Sequence, residues 1–226
     1  LHQLGARFMQ LSYNNQSLLA TGCYEETDPG ITRFGKQAIK EMNRIGLVID
    51  VSHTSERSSF DAIKYSERPI VISHANPIWW HPSKRNKSDI LIKEVTSAGG
   101  MIGFSIYPHH LKDGSNCTLE SFSTMIAQSA DKYGVDNIGI GSDICQNQPD
   151  SVVQWMRNGR WTKVVDYGEG SRNNAGFPDQ PKWFKKTSDF PNIMDGLQKI
   201  GFSKEETLQI MGLNWLNFYE ENFHAS

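Results

Sequence analysis

Residues 46–86 read GLVIDVSHTSERSSFDAIKYSERPIVISHANPIWWHPSKRN, and the organisation of the chain can be worked out from there. Two short apolar runs, Leu47–Val51 and Pro69–Ile72, each lead into a Ser-His pair, so that His53 and His74 lie 21 residues apart. The segment between them has the length and the apolar spacing of one helix. The stretch therefore predicts a strand–helix–strand unit with a histidine just beyond the carboxyl end of each strand.

The two histidines are expected to face one small volume. Parallel strands joined by a single right-handed crossover usually lie side by side, about 4.8 Å apart, and ligands of α/β proteins gather at the carboxyl ends of strands. One such histidine would be interpreted as a hydrogen-bonded strand-end residue, but the matched setting of His53 and His74 favours a metal or catalytic pair. Zinc accepts neutral imidazole and usually has three or more protein ligands, so the pair is half of a site.

A carboxylate follows a third apolar run in the same way. Residues 137–141, NIGIG, lead into Ser142 and Asp143. A carboxylate at that point can bind a metal or act as a general base for a metal-bound water. A helix cap or an ordinary loop aspartate is an equally good interpretation of Asp143 from the sequence alone.

Arg85 follows His74 by eleven residues in a loop that also contains Lys84. An arginine near a metal can hold a substrate carboxylate through two hydrogen bonds. A solvated basic loop is the alternative, and the sequence by itself favours it. Histidines in predicted loops and at the ends of the chain are interpreted as surface residues: His2, His81, His109, His110 and His224.

The remaining pattern predicts an α/β protein. Apolar runs predict strands at Phe8–Ser12, Met101–Ile106 and Asn137–Gly141, in addition to the two strands that precede His53 and His74. Helical spacing predicts helices over 35–44, 55–66, 119–133, 192–199 and 214–222, with Ser88 as the cap of another and Ser203 to Glu206 as a capping box. Short apolar strands that alternate with helices are typical of a parallel sheet covered on both faces.

Residues 144–188 show no clear periodicity and are predicted to be a long loop inserted in a single domain of residues 1–226. Loops of that length are uncommon and often functional. Its tryptophans, Trp155, Trp161 and Trp183, fit a lid over the site or a buried subunit contact equally well.

The composition is that of an ordinary globular protein, with a net charge of −2 and 38% hydrophobic residues. This balance argues against a nucleic-acid-binding or disordered chain, and no apolar run reaches the roughly 18 residues of a membrane span. Three widely spaced cysteines, Cys23, Cys117 and Cys145, do not form a disulfide framework. A reducing, cytoplasmic compartment is therefore expected.

The motifs described above, with two more near the end of the chain, resemble those of the membrane (renal) dipeptidase family. The matching segments are GLVIDVSH (46–53), PIVISHAN (69–76), SKRN (83–86), NIGIGSD (137–143), FPN (190–192) and GLN (212–214). Members of this family are zinc dipeptidases with a TIM (β/α)₈ barrel. The resemblance covers nearly the whole chain and implies the carboxyl-terminal portion of such a barrel, with about five of its eight strands.

The resemblance also implies roles for individual residues. His53 and His74 are similar to the histidine ligands of one of two zinc ions, and Asp143 to a carboxylate that handles protons at the scissile amide. Arg85 is similar to a residue that binds a substrate carboxylate. The implied reaction is hydrolysis of the amide bond of a dipeptide by a metal-activated water.

Three departures from the family pattern limit these implications. The His-x-Asp motif and the metal-bridging glutamate of the amino-terminal strands are not found, so an amino-terminal part of the barrel becomes an expected partner and the isolated chain is expected to be inactive. Tyr13 occupies a position where the family usually has a histidine that polarises the substrate carbonyl, and is assigned to substrate binding. The segment 144–188 is long for the family.

Other functions stay open on these grounds. One is another amidohydrolase-type reaction on the same centre, such as lactone, ester or deamination chemistry. Another is a non-catalytic relative that keeps the barrel as a binding or scaffold module. A homodimer is a further candidate assembly, and the substrate class in the leading interpretation is a small dipeptide-like molecule.

Overall fold

A computed structural model describes residues 1–158, 173 and 176–224. Five parallel strands form one sheet in the order in which they occur along the chain. They are β1 (Phe8–Gln10), β2 (Val48–Asp50), β3 (Val71–Ile72), β4 (Met101–Phe104) and β5 (Ile138–Ile140). The predicted α/β fold with five strands is confirmed, although each strand is shorter than its apolar run.

The connections between strands are mostly helical. The helices are α1 (Arg33–Ile45), α2 (Glu56–Tyr65), α3 (Asp89–Ser97), α4 (Leu119–Tyr133), α5 (Asp150–Asn158), α6 (Phe190–Lys199), α7 (Lys204–Leu208) and α8 (Asn214–Asn222). A π-helical turn over Gln209–Leu213 joins the last two, and Gly212 within it departs from helical dihedral angles.

Side-chain caps explain why the predicted helix boundaries hold. The hydroxyl of Ser88 accepts a hydrogen bond from the backbone N–H of Leu91 at the start of α3. Ser203 and Glu206 form the predicted capping box at the start of α7. Each of these bonds satisfies a backbone donor that has no partner within the helix.

The two faces of the sheet differ because side chains alternate along each strand. Residues on the outer face pack against the helices in one large core, which includes Ile49, Ile72 and Ile102. Residues on the inner face, among them Val48 and Val71, point toward the volume that a closed barrel would enclose. The inner face therefore carries any site that the strands build together.

Helix α8 crosses the inner face at the amino ends of the strands, and we call it the floor helix. Its Trp215 and Phe218 form a second buried cluster with Val48, Val71 and Met101. Each of these three aliphatic side chains belongs to the first residue of its strand. The floor helix thus closes the lower end of the sheet with aromatic side chains.

The floor helix contacts both edge strands of the sheet, β1 and β5. The ring of Phe8, in β1, lies 5.6 Å from the ring of Tyr219 and 5.3 Å from that of Phe223. At the other side, the indole N–H of Trp215 donates to the carbonyl oxygen of Ile140, in β5, at 3.2 Å. One helix therefore links the first strand to the last.

The segment 144–188 is only partly a loop. The structure contains helix α5 within it, which the sequence pattern did not indicate. Trp155 is exposed, whereas Trp183 packs against Phe122 and donates to the carbonyl oxygen of Cys117. Trp161 lies outside the described residues. Among the helices that the structure describes, none has the length and apolar character needed to cross a bilayer.

Candidate functional site

A cavity of about 250 Å³ lies at the carboxyl ends of the strands. All five residues that the sequence predicts for the site line it: Tyr13, His53, His74, Arg85 and Asp143. They come from the loops after β1, β2, β3 and β5. The parallel order of the strands is what brings these loops to one edge of the sheet.

The imidazole rings of His53 and His74 meet at the centre of the cavity wall. Their Nε2 atoms are 3.0 Å apart. On the far side of its ring, Nδ1 of His53 lies 2.6 Å from Oδ1 of Asn14. An amide oxygen only accepts hydrogen bonds, so Nδ1 carries the proton of His53 and its Nε2 carries a lone pair.

A buried carboxylate, that of Asp50, lies beneath the two histidines. It accepts a hydrogen bond from the hydroxyl of Ser52 and one from the hydroxyl of Ser73, both at 2.6 Å. The backbone N–H of each serine also donates to it, as does the side-chain amide of Gln10 at 3.1 Å. The hydroxyl oxygen of Ser73 also lies 2.7 Å from Nδ1 of His74. Burial raises the pKa of the Asp50 carboxyl, but the charge of His74 and the serine hydrogen bonds outweigh burial and hold it below its ordinary value.

Both histidines titrate below the ordinary range of imidazole. Burial, followed by the positive charge of Arg85, holds the pKa of His53 well below its usual value. Burial also lowers the pKa of His74, although the negative charges of Asp143 and Asp50 oppose that effect. Neutral imidazole is the form that binds metals, so the surroundings keep both rings in the form suited to metal binding.

Arg85 is a buried residue of the cavity wall, with 2% of its surface exposed. Its Nη2 donates to Nε2 of His53 at 2.9 Å, and its Nη1 donates to the carbonyl oxygen of Ser52. The interpretation of Lys84 and Arg85 as one solvated basic loop is therefore wrong for Arg85, whereas Lys84 is exposed.

Tyr13 and Asp143 lie on either side of the histidine pair. The ring of Tyr13 stacks on that of His53 with their centroids 4.2 Å apart. Asp143 follows β5 in a left-handed backbone conformation, with φ of 54°. Aspartate tolerates that conformation better than most residues, and it places the carboxyl group at the cavity after the strand has ended.

The interpretation of His110 as a surface histidine is wrong. It has 2% of its surface exposed and lines the cavity, and its Nδ1 lies 2.8 Å from the hydroxyl oxygen of Ser105. A short 3₁₀ turn over Pro108–His110 directs the ring inward. Of the other histidines interpreted in this way, His224 is exposed and the rest are partly buried: His2, His81 and His109.

Two further residues of the site, Asp50 and Asn14, also escaped the sequence analysis. Asp50 could have been noticed, because a charged residue within the apolar run GLVIDV needs buried partners. Asn14 could not, because only the folded loop after β1 brings its amide to His53.

The donor set of the histidine pair fits a metal ion. The Nε2 atoms of the two rings lie 3.0 Å apart on the cavity wall, and imidazole nitrogen is a common zinc ligand. Across residues 1–158, 173 and 176–224, however, no group of three or more His, Cys, Asp or Glu side chains is arranged to hold a metal. A metal at this histidine pair would therefore need further ligands from outside the described residues.

Comparisons with known proteins all point to one protein family. The sequence model of the membrane dipeptidase family (peptidase family M19) matches residues 1–155. The chain is 26% identical over 223 residues to dipeptidase tcpJ of Claviceps purpurea, covering 97% of this chain and 45% of that protein. It is 33% identical over 149 residues to dipeptidase verJ of Clonostachys rogersoniana, covering 63% of this chain and 37% of that protein. The chain thus spans less than half the length of these curated relatives.

Solved structures share the fold. An amidohydrolase from Pseudomonas aeruginosa superposes with a TM-score of 0.89 and 31% identity, covering 98% of this chain and 66% of that one. A metallopeptidase from Rhodobacter sphaeroides, bound to a phosphinate mimic of the dipeptide L-Ala-D-Ala, superposes with a TM-score of 0.77 and 20% identity, covering 98% and 57%.

Proposed function

The chain belongs to the membrane dipeptidase family, and from that premise we propose that it carries part of the active site of a metal-dependent dipeptidase. The (β/α)₈ barrel of this family accounts for an open sheet of five parallel strands with a site at their carboxyl ends. The observation that supports the proposal best is the pair of Nε2 atoms of His53 and His74, 3.0 Å apart in a cavity that also contains Arg85 and Asp143.

His53 and His74 would hold a zinc ion through Nε2, with the ion replacing the hydrogen bond that Arg85 donates to Nε2 of His53, and we propose two zinc ions in the complete protein. The other ligands would come from the amino-terminal part of the barrel. Zinc bound there would supply an activated water and positive charge for the oxyanion that develops at the amide carbon.

Arg85 would bind the carboxylate of the dipeptide. Among the described residues its guanidinium makes no ion pair with a carboxylate, since the two recorded pairs are Arg44–Glu41 and Lys132–Asp89. Burying a guanidinium without an anion costs free energy. A substrate carboxylate would offset that cost, so the buried guanidinium of Arg85 would favour substrates with an anionic end.

Asp143 and Tyr13 would act on the two sides of the scissile amide. Asp143 would take a proton at a carboxylate oxygen from the attacking water and pass it to the nitrogen of the leaving amine. The hydroxyl of Tyr13 would donate a hydrogen bond to the substrate carbonyl, where a histidine is usual in the family. Stacking on His53 holds the phenol ring in place at that edge of the cavity.

Helix α5, within the segment predicted to be a lid, would cover the substrate. Val153 and Met156, both on α5, line the cavity and form an apolar part of its wall. We propose that this wall accommodates a side chain of the dipeptide.

Replacement of His74 tests the proposed function. In the intact protein loaded with zinc, His74→Ala is expected to abolish dipeptide hydrolysis, while His224→Ala serves as the matched control at an exposed histidine outside the cavity. Turnover of a dipeptide panel is measured for both variants. Wild-type activity in His74→Ala would refute the proposal.

A second reaction on the same centre is favoured by two observations: the 31% identical structure is named an amidohydrolase, and Tyr13 replaces a histidine that is usual among dipeptidases. Rates on dipeptides, cyclic amides and lactones, measured side by side, distinguish the two reactions. A scaffold protein would show no zinc and no turnover on any of them.

A further inference from the structure

We propose that Asp50 is a positioning residue that determines which ring nitrogen of His74 carries the proton. Through the hydroxyl of Ser73, it would keep the proton on Nδ1 and leave Nε2 free to bind a metal. The part of this inference that concerns metal binding rests on the proposed function, whereas the part that concerns the proton does not.

The first step concerns the hydroxyl protons of Ser52 and Ser73. Each hydroxyl has one proton to donate, and each oxygen lies 2.6 Å from a different oxygen of the Asp50 carboxylate. The two hydroxyl oxygens are 3.1 Å from each other, which is a longer and weaker contact. An ionised carboxylate only accepts hydrogen bonds, so both protons point to Asp50.

The second step follows from the position of His74. Since the proton of Ser73 is committed to Asp50, its oxygen can only accept from Nδ1 of His74, 2.7 Å away. Nδ1 therefore carries the ring proton and Nε2 carries the lone pair. The backbone of His74 is held by the same network, because its N–H donates to the hydroxyl oxygen of Ser52 at 3.1 Å.

A competing arrangement would block the metal-binding nitrogen. In it, Ser73 donates to Nδ1 of His74, and Nε2–H of His74 donates to Nε2 of His53. That arrangement removes a 2.6 Å hydrogen bond from the buried carboxylate. It also needs the single lone pair of His53 Nε2 to accept from His74 while it already accepts from Arg85 at 2.9 Å. The arrangement gains a neutral hydrogen bond between the two Nε2 atoms, 3.0 Å apart. The bond that it removes is charge-assisted and about twice as strong as a neutral one, so the balance favours the proton on Nδ1.

The two histidines are thus oriented by different chemistry. Nδ1 of His53 donates to the neutral amide of Asn14, in the loop after β1. Nδ1 of His74 is linked through one hydroxyl to a buried anion. Loss of the anion should therefore change the proton position on His74 and leave that on His53 unchanged.

Nitrogen-15 NMR of histidine-labelled, metal-free intact protein tests the inference directly. We expect the wild-type spectrum to show His74 protonated on Nδ1. Asp50→Asn and Ser73→Ala should both shift a measurable fraction of His74 to the Nε2–H form. Ser73→Ala is the safer variant for folding, because Asp50 keeps the hydroxyl of Ser52. An Nε2–H form in the wild type, or an unchanged Nδ1–H form in both variants, would overturn the inference.

Ser52→Ala is the matched control. It removes a hydroxyl that bonds the same carboxylate at the same distance, but that hydroxyl does not contact the His74 ring. We expect Ser52→Ala to lower the melting temperature by about as much as Ser73→Ala does, and to leave His74 protonated on Nδ1. If Ser52→Ala shifts His74 to the Nε2–H form as much as Ser73→Ala does, the shift comes from a general loss of stability at the site. That result would contradict the role of Asp50 acting through Ser73.

Zinc affinity separates this inference from the proposed function. Loss of a residue that orients a metal ligand typically weakens binding 10–100-fold, so Asp50→Asn and Ser73→Ala should raise the zinc dissociation constant by about that factor. If the wild-type protein binds zinc without hydrolysing dipeptides, the proposed function fails while a tautomer change still supports Asp50. If it hydrolyses dipeptides and the proton of His74 stays on Nδ1 in both Asp50→Asn and Ser73→Ala, only the inference about Asp50 fails.

Discussion

At the scale of single residues, the proposed role of Arg85 depends on the planar geometry of its guanidinium. Its guanidinium is buried, donates to a histidine and a carbonyl group, and is proposed to receive the substrate carboxylate. Arg85→Lys keeps the charge but loses the planar pair of donors. A hydrogen bond to a charged group contributes about 1.5–3 kcal/mol, so KM for dipeptides should rise about 10–100-fold while kcat changes much less.

Steady-state kinetics measure this effect, with Lys84→Met as the control at the exposed neighbour. The control should leave KM unchanged, because Lys84 is exposed and does not line the cavity. An unaltered KM in Arg85→Lys would remove Arg85 from substrate binding.

Lys87 makes the stability of the protein depend on pH. It is buried, its Nζ donates to the carbonyl oxygen of Thr54 at 2.6 Å, and burial lowers its pKa from 10.5 to about 8. Between these two values the unfolded chain binds more protons than the folded one, so this lysine makes the free energy of unfolding rise with pH. Below about pH 8 both states are protonated and the full cost of burying the charge is present.

Lys87→Met should remove this pH dependence. Relative to the variant, the wild-type protein is expected to gain about 2 kcal/mol between pH 8 and pH 10. Urea unfolding of both proteins at several pH values gives the difference. A difference that stays constant over this range would contradict the lowered pKa of Lys87.

Residues also show what sequence reasoning can place. The position of His53, His74 and Asp143 at one cavity was predictable, because parallel strands carry whatever follows them to one edge of the sheet. His110 was not, because a short turn decides whether a loop side chain points inward or outward. Asp50 was not assigned because its role depends on partners from two neighbouring strands, and register is a property of the folded sheet.

At the scale of elements, the floor helix should contribute more to stability than its position late in the chain suggests. Trp215 is 9% exposed and packs against the first residues of the strands. Trp215→Ala should lower the free energy of unfolding by about 3–5 kcal/mol. Leu216→Ala, at the neighbouring residue that is 49% exposed, should lower it by less than about 0.5 kcal/mol.

Chemical denaturation of the two variants measures both values. Equal losses of unfolding free energy would show that Trp215 does not stabilise the inner face.

The boundaries of this helix and of α4 were predicted from spacing alone, whereas α5 was not, because the segment around it lacks a repeating apolar pattern. Periodic elements are therefore recovered from the sequence better than those held by a few contacts.

At the scale of the whole molecule, the described residues form five parallel strands of the barrel fold of this family, and the candidate site lies at their carboxyl ends. The proposed metal ligands here are His53 and His74, and the described part provides no group of three or more side chains arranged to hold a metal. We expect residues 1–226 expressed alone to show no dipeptide hydrolysis, and a protein that also contains the amino-terminal strands to show it with about two zinc ions per molecule. Zinc analysis and intact mass on one preparation measure both quantities, and full turnover by residues 1–226 alone would contradict the expectation.

The position of the floor helix has a consequence for synthesis on the ribosome. All five strands leave the exit tunnel before α8 does, and translation adds about 5–20 residues per second. For a period on the order of seconds, Val48, Val71 and Met101 have no aromatic cover. We therefore expect the nascent chain to pass through a stage with an exposed apolar surface, and to bind ribosome-associated chaperones during that stage.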